Sequence, residues 1–207
     1  MNPVLVGWIN NWRYANSIPT DPWRGMMSIP RTLTLQKQEN RYYLFQRPVV
    51  SFYEFIYTQE KFAFKNHEIE ENDHLLDEFT AGSCLIRISL ENIDAEEFGI
   101  DILKNGQSQT RIGYRSDQGS LFINRKESGN IGFHEAFGST ETAPFSLDNN
   151  RLDLDILVDQ SVVEVFAADG FRVITDQVFP GEGQEGMQLY SVGGKARVVN
   201  MELYKVR

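Results

Sequence analysis

The residues best suited to ligand binding lie near the start of the chain. All three tryptophans fall in one short segment, as Trp8, Trp12 and Trp23. Amide, basic and phenolic side chains are interleaved with them: Asn10, Asn11, Arg13, Tyr14 and Asn16. Aromatic faces cover the C–H side of a sugar ring while amides and charges bind its hydroxyls, so this spacing suits a carbohydrate site. Composition alone favours a simpler interpretation, in which the tryptophans fill the core of a β-rich domain.

A second candidate for chemistry is a pair of carboxylates in the segment 151–159. Its apolar residues occupy alternate positions, so Asp153 and Asp155 share the opposite face of a predicted strand. Two acids about 7 Å apart along a strand suggest the acid and the nucleophile of a glycoside hydrolase. We favour the alternative that they keep the outward face of a half-buried strand soluble. Glu164 is interpreted in the same way.

The segment Lys126–Phe137 is predicted to be a loop that crosses between two sheets. It brings Lys, Asn, His and Glu side chains together, a set able to bind a sugar hydroxyl, although surface loops are polar in general. Phe133 and Phe137 are expected to plug the edge between the sheets.

Short strands separated by turn signals must position these groups. The predicted strands are Val4–Ile9, Met26–Pro30, Thr32–Leu35, Tyr42–Gln46, Ser83–Glu91, Phe98–Leu103, Arg111–Arg115, Ser120–Asn124, Leu152–Asp159, Val162–Ala167, Arg172–Phe179, Met187–Val192 and Arg197–Val206. Pro48–Ile56 is predicted as a short helical turn. Asn-Gly, Asp-Gly and Gly-Gly turns punctuate the series. The pattern predicts an all-β protein built on an antiparallel β-sandwich of jelly-roll or concanavalin-like type.

Composition and charge argue against several classes of partner. With 207 residues, 41% of them hydrophobic, the chain can bury a substantial core. Its formal net charge of −9 argues against nucleic acid and membranes as partners, because phosphate binding depends on clustered Lys and Arg. The histidines have no ligand-like spacing with one another or with Cys84, so no metal and no cofactor is predicted. No secretion signal is visible, and the compartment stays open.

The opening segment is similar to part of a known family. Residues 7–31 read GWINNWRYANSIPTDPWRGMMSIPR, which resembles the final propeller blade of levanases, invertases and other β-fructofuranosidases, glycoside hydrolase family 32. Further blocks look like that family's second domain: Ile112–Tyr114, Leu121–Gly129, Leu157–Phe166, Asp169-Gly170 and Phe179-Pro180. The resemblance covers nearly the whole chain, and bacterial levanases look closer than yeast invertases.

The resemblance implies a domain organisation and a substrate class. Residues 1–35 would be a remnant of the last propeller blade, 36–60 a connector and 61–207 a C-terminal β-sandwich domain. In an intact enzyme the aromatic segment would lie near the wall of a fructose pocket, with Trp8, Trp12 and Trp23 as substrate-binding residues. The substrate would be a fructose-containing oligo- or polysaccharide such as levan, inulin or sucrose. Family members are often secreted.

The family's three acidic motifs are absent from the sequence. W-M-N-D-P-N-G supplies the nucleophile, R-D-P a transition-state stabiliser and E-C the acid/base glutamate. The chain has no N-D-P and no R-D-P, and Cys84 follows Ser83 rather than a glutamate. Retaining cleavage of a glycoside needs two carboxylates held about 5–5.5 Å apart. We therefore predict no catalytic residue here, expect the chain to lie downstream of the motifs, and expect it to be inactive alone.

A supporting role follows from this interpretation. The chain is predicted to pack against a catalytic propeller domain, and uncovered strand edges would favour self-association. The alternative is a stand-alone, lectin-like module that binds fructan without cleaving it.

Overall fold

A computed structural model of the chain describes residues 2–71 and 73–206. The N-terminal elements are β1 (Val4–Leu5), β2 (Trp8–Ile9), β3 (Met26–Met27), β4 (Arg31–Gln38), β5 (Arg41–Pro48) and the helix α1 (Val50–Ile56). The later strands are β6 (Glu60–Glu68), β7 (Ser83–Asn92), β8 (Glu97–Asn105), β9 (Ser108–Arg115), β10 (Ser120–Glu127), β11 (Thr140–Pro144), β12 (Arg151–Asp159), β13 (Val162–Ala167), β14 (Arg172–Gln177), β15 (Gly186–Val192) and β16 (Ala196–Lys205). Met1, Asn72 and Arg207 belong to the predicted segments but lie outside the described residues.

Two antiparallel sheets form a β-sandwich, which confirms the predicted fold class. One sheet has five strands in the order β11-β10-β9-β8-β15, and the other has six in the order β14-β13-β12-β7-β16-β6. Alternating apolar residues build the core between them. Ile86 of β7 and Ile156 of β12, for example, are register partners, and both are completely buried in that core.

The N-terminal segment lies on the outer face of the six-stranded sheet. β1, β4 and β5 form a three-stranded sheet, and β2 pairs with β3. The helix α1 has no side-chain cap at its start, so packing rather than capping must hold it. It contributes Phe52 and Ile56 to a second apolar cluster with Leu157 and Phe166 of the sheet. Each large apolar side chain buried in this way contributes about 1.5–3 kcal/mol.

The predicted strands from residue 83 onwards are confirmed, with shifts at their ends. The predicted strand Tyr42–Gln46 lies within β5, and the predicted helical turn contains α1. The strands β6 and β11 were not predicted. Both are end strands of their sheets, and most of their residues are exposed, so the apolar alternation that marks the inner strands is weak there.

Candidate functional site

The three tryptophans lie at the surface of the N-terminal segment. The rings of Trp8 and Trp12 are 4.9 Å apart between centroids and inclined by 49°. Trp12 is 88% exposed, Trp8 43% and Trp23 41%. The Trp8 indole rests on Gly25, where a Cβ would lie only 2.5 Å from Nε1. The interpretation that the tryptophans fill a core is therefore wrong for the described chain, in which they form an exposed aromatic surface.

Buried residues that follow Trp12 anchor this aromatic surface to the sandwich. Tyr14 and Ile18 belong to an apolar cluster with Phe137 and Phe179. Tyr14 meets Phe137 edge to face, with centroids 5.4 Å apart, and its hydroxyl accepts a hydrogen bond of 3.2 Å from Nη2 of Arg125. Phe137 is completely buried in this cluster and Phe133 is half-buried beside it. The loop that carries them joins β10 and β11, neighbouring strands of one sheet, so the prediction that it crosses between two sheets is wrong. The same cluster holds the part of the chain just after Trp12 against the sandwich.

A buried ion pair forms the second anchor. Glu164 of β13 is paired with Nη2 of Arg31 in β4, and its Oε1 accepts a hydrogen bond of 2.7 Å from the backbone N–H of Ile29. The Arg31 guanidinium also lies 5.1 Å from the ring centre of Phe166. The carboxylate of Glu164 is thus committed to holding the N-terminal segment on the sandwich.

The acid pair of β12 has two different environments. Asp153 is exposed, as expected for an outward-facing carboxylate. Asp155 is half-buried beneath α1, where it accepts hydrogen bonds from the Tyr53 hydroxyl at 2.9 Å and from Nε of Arg87 at 3.0 Å. Burial and the neighbouring Asp155 raise the pKa of Tyr53. The expectation that both carboxylates face water is therefore wrong for Asp155, which helps to position the helix.

Metal-ligating and nucleophilic groups are dispersed in the described part of the chain. No three His, Cys, Asp or Glu residues in residues 2–71 and 73–206 come together in a way that could hold a metal ion. His67 and His74 each pair with one carboxylate, at 2.5 Å and 2.6 Å. Burial raises the pKa of Cys84 to about 12, so its thiol stays protonated at neutral pH. None of the described helices has the length and apolar character needed to cross a bilayer.

A polar cavity of about 510 Å³ lies at one edge of the sandwich. It lies where the end strands β11 and β14 of the two sheets come together, and β2 with the residues after it forms another wall. We call it the edge cavity. Among the polar residues that line it are Asn10, Arg31, Arg125, Glu141, Asp176 and Gln177.

Several polar atoms of the edge cavity are buried without a hydrogen-bond partner in the protein. They are Nδ2 of Asn10, Nε of Arg31, Oδ2 of Asp176 and both amide atoms of Gln177. Gln177 is only 2% exposed and Asp176 5%. Among the described residues, two further buried side-chain atoms share this state, the hydroxyls of Thr110 and Ser120. An unpaired buried polar group costs about 1–3 kcal/mol, so their concentration at one cavity is the most unusual polar feature of the fold.

Burial raises the pKa of Asp176 to about 6, an effect that Arg125 opposes and Glu141 reinforces. Nη1 of Arg125 lies 3.6 Å from Oδ1 of Asp176, which is too long for a good hydrogen bond. The pKa of Asp176 is higher in the folded protein than in a model peptide. At pH values between these two pKa values, the native protein therefore binds more protons than the unfolded chain. The contribution of Asp176 to stability is therefore complete at low pH and is lost as the pH rises through about 6.

The variant Asp176→Asn is expected to remove this pH dependence. At about pH 7 its free energy of unfolding should exceed that of the parent chain by on the order of 1–3 kcal/mol, and at about pH 4 the two should be equal. Urea unfolding at both pH values measures the difference. Asp153→Asn, at an exposed carboxylate of β12, is the matched control and should show no such change. A difference between Asp176→Asn and its parent that is the same at both pH values would contradict the assignment.

The sequence pointed to the aromatic surface but not to the edge cavity. Trp8, Tyr14 and the loop that contains Phe137 were singled out, and the structure brings them to one side of the molecule. Asp176 and Gln177 were read only as the end of a strand. The sequence carries only a weak signal for this cavity. Asp176 and Gln177 are two polar residues in a predicted strand whose other nearby residues are apolar.

The fold defines the class of protein to which this chain belongs. Residues 53–205 match the family described as "Glycosyl hydrolases family 32 C terminal", and residues 1–48 match the "Glycosyl hydrolases family 32 N-terminal domain". The two matches follow the division between the N-terminal sheets and the part of the chain that begins in α1. The chain belongs to glycosyl hydrolase family 32, as its sequence resemblance predicted.

Similar proteins include levanases and an inulinase. A levanase of Bacillus subtilis (strain 168) is 35% identical over 209 residues, which is 99% of this chain and 30% of that protein. A levanase of Bacillus sp. (strain L7) is 32% identical over 210 residues, or 99% of this chain and 22% of that protein. The crystal structure of an exo-inulinase from Aspergillus awamori superposes with a TM-score of 0.87 at 29% identity, covering all of this chain and 40% of that one. The chain thus spans less than a third of the length of the two levanases.

Proposed function

We propose that this chain is the C-terminal part of a β-fructosidase and that it supports a catalytic propeller domain rather than cleaving substrate itself. The single observation that carries the proposal is an uncovered apolar surface on the N-terminal segment, beside a sandwich whose own core is complete. Residues 1–35 would then be the remnant of a propeller blade, 36–60 a connector and 61–207 the supporting domain.

The N-terminal segment exposes many apolar side chains. Its exposed apolar residues are Val4, Leu5, Val6, Trp8, Trp12, Trp23, Met27, Leu35 and Leu44. Contiguous exposed apolar patches mark interaction sites in soluble proteins. A neighbouring propeller blade would cover this surface; in the absence of one, a second copy of the chain would do so.

The substrate proposed for the whole enzyme is a fructose-containing oligo- or polysaccharide. The relatives that support this proposal are named as levanases and as an exo-inulinase. Trp8 and Trp12, with Trp23 beside them, would contribute to the wall of the fructose pocket. Their inclined, exposed rings offer flat apolar faces of the kind that stack on sugars.

The absence of hydrolysis in the chain alone is part of the proposal. The acidic motifs of the family do not occur among its 207 residues. Two of the three carboxylates singled out in the sequence are occupied elsewhere: Asp155 positions α1 through Tyr53, and Glu164 holds the segment around Arg31. Neither is available as a nucleophile or a proton donor.

The proposal predicts that this chain activates a propeller that lacks it. Mixing the two is expected to raise the rate of fructose release from levan and sucrose by at least about tenfold over the propeller alone, because docking stabilises the catalytic domain by about 1.4 kcal/mol or more. The chain by itself should release none. Fructose release by the isolated chain would contradict the proposal, as would continued inactivity of a well-folded mixture.

A matched pair of variants locates the docking surface. Leu35→Asp places a charge on the uncovered surface of β4, whereas Val192→Asp places one on another exposed apolar residue, at the end of β15. Leu35→Asp is expected to abolish the activation and Val192→Asp to leave it intact.

The alternative function is a stand-alone, lectin-like fructan-binding module. It is favoured by a groove of about 880 Å³ on the outer face of the six-stranded sheet, lined by Tyr53, Tyr57, Arg87 and Asp153 among others. Titration of the chain with levan, inulin and sucrose decides the matter. Tight binding of levan or inulin together with failure to activate a propeller would favour the module.

A further inference from the structure

We propose that Asn105 is a site of covalent modification, at which the folded chain loses ammonia through a succinimide and becomes aspartate or isoaspartate. Asn105 is the last residue of β8, and Gly106 with Gln107 forms the turn to β9. The same Asn-Gly pair predicts the hairpin from the sequence. The hairpin belongs to the five-stranded sheet and contains no part of the N-terminal segment, so this inference and the proposed support of a catalytic domain can fail separately.

The reaction consumes water and releases ammonia. The backbone nitrogen of Gly106 gives up its proton and attacks Cγ of Asn105, and the side-chain nitrogen takes up a proton and leaves as ammonia. Water then opens the succinimide ring. Cleavage of the new C–N bond gives aspartate, whereas cleavage of the original peptide C–N bond gives isoaspartate, in which the main chain runs through the side chain. Either product carries a carboxylate where the amide was.

Both reacting groups are free in the native structure. Among the described residues, the N–H of Gly106 donates no hydrogen bond, and the side-chain amide of Asn105 has no partner. Both residues are exposed, and a Cβ at Gly106 would meet nothing within 4 Å. The attack therefore breaks no hydrogen bond of the nitrogen, and solvent base reaches its proton.

The turn allows the movement that ring closure requires. Cγ of Asn105 reaches the nitrogen of Gly106 only when the peptide between them rotates. Gly106 has φ +58, and glycine adopts positive and negative φ about equally well. The β8–β9 ladder has a register shift between Ile102 and Asn105, beyond which Asn105 pairs with Ser108. The rotation therefore disturbs only this outermost pair.

A cation stands beside the peptide that must become anionic. Nζ of Lys104 lies 3.5 Å from the carbonyl oxygen of Gly106 and donates a hydrogen bond of 2.8 Å to Oε1 of Gln109. Its positive charge lowers the free energy of the deprotonated Gly106 nitrogen and of the oxyanion that forms at Cγ.

A second pair of the same kind is protected by the fold. Asp169-Gly170 is the only other Asn-Gly or Asp-Gly pair in the sequence, and its ring would form with loss of water. The N–H of Gly170 donates a hydrogen bond of 3.1 Å to the carbonyl of Ala167. Gly170 is also packed so closely against the backbone of Gln46 that a Cβ would not fit. The native structure thus blocks ring closure at Gly170 and leaves it open at Gly106.

The modification places a negative charge beside an acidic loop. Nδ2 of Asn105 lies 3.4 Å from the position that a Cβ of Gly183 would occupy, and the same loop carries Glu182 and Glu185. Isoaspartate also lengthens the main chain at the end of β8. The aged chain is therefore expected to have a lower midpoint of thermal unfolding than the fresh chain. Asn105→Asp should show the part of this loss that is due to charge.

The test is a time course at mildly alkaline pH, in which the full chain is kept folded or unfolded in urea and then mapped by mass spectrometry. Replacement of the amide by a carboxyl group is expected at Asn105, at a rate in the folded chain within about tenfold of the rate in the unfolded chain. Isoaspartate at Asp169, which chromatography separates from aspartate, should form at least about tenfold faster in the unfolded chain. Stronger protection of Asn105 than this, or an equal ratio of the two rates at both sites, would overturn the proposal.

The key variant is Asn105→Gln, because the larger ring that glutamine must form closes far more slowly. Ion-exchange chromatography of the aged parent chain should resolve a more acidic form that the aged variant lacks. Asn124→Gln makes the same substitution in β10 and should still yield that form. If Asn105→Gln fails to fold, Gly106→Ala is the second variant, since a Cβ on the attacking residue hinders ring closure. Persistence of the acidic form in the key variant, with no change at residue 105 in the parent, would contradict the assignment.

Discussion

Replacement of Glu164 by alanine is expected to lower the free energy of unfolding by about 3–5 kcal/mol, the usual cost of breaking a buried ion pair. The variant leaves the guanidinium of Arg31 buried without its counter-charge and the backbone N–H of Ile29 without its acceptor. Because the pair joins β4 to β13, the loss falls first on the attachment of the N-terminal segment.

Tryptophan fluorescence is well suited to measure this loss. All three tryptophans, Trp8, Trp12 and Trp23, lie in the N-terminal segment, so their emission during urea unfolding reports on that segment, while far-ultraviolet circular dichroism reports mainly on the sandwich. In Glu164→Ala the fluorescence transition should move to lower urea and separate from the dichroism transition, as expected when a local unit unfolds first.

Two further variants control the interpretation. Glu68→Ala removes a carboxylate from the exposed pair with Lys195 and should leave the free energy of unfolding nearly unchanged, because water screens such a pair. The double variant Arg31→Met/Glu164→Leu replaces both buried charges with apolar groups and should recover most of the loss. Unchanged stability of Glu164→Ala would show that the pair does not hold the segment.

The sandwich could be predicted from the sequence because its inner strands carry a strong local pattern. In β12 the apolar residues at alternate positions, such as Leu154 and Ile156, are buried as the alternation requires. The same rule of alternation predicted that Glu164 faces outward, and that prediction is wrong. Its strand reads as a half-buried one with an outward charge, but a segment from the far end of the sequence covers that face. When a segment far away along the chain buries a residue, the neighbours of that residue in the sequence do not reveal it.

Of the two candidate sites, the aromatic surface could be predicted from the sequence and the edge cavity could not. Trp8 and Trp12 could be singled out because residue type alone suggests a sugar-binding surface, and the resemblance to the family gave the segment its place in a larger protein. The edge cavity could not be predicted, since Asn10 and Gln177 meet only after the two sheet edges and the N-terminal segment have come together. What marks the cavity is the lack of partners for these side chains, and that is a property of tertiary packing.

Replacement of Gly170 by alanine is expected to cost about 2–5 kcal/mol through backbone strain and overpacking together. Gly170 lies in the turn between β13 and β14 with φ +82, and a Cβ there would come within 1.8 Å of the carbonyl oxygen of Gln46. That oxygen belongs to the backbone of β5, so the hairpin itself would have to move. The movement would break the hydrogen bond of 2.9 Å from the Gln46 N–H to the Gly170 carbonyl.

A second glycine separates strain from contact. Gly106 also has a positive φ, of 58°, but a Cβ there would meet nothing within 4 Å. Gly106→Ala should therefore cost only about 1–2 kcal/mol and leave the tryptophan and dichroism transitions coincident. Equal losses in the two variants, measured by urea unfolding, would mean that the contact with Gln46 contributes nothing.

The variants Glu164→Ala and Gly170→Ala should also be less than additive. Each weakens the attachment of the same N-terminal segment, through β4 in one case and β5 in the other. Once the segment is released, the second change has no attachment left to weaken, so the double variant should lose less stability than the two single losses combined. Full additivity would instead indicate that β4 and β5 detach independently, and that the segment does not dock on the sandwich as one unit.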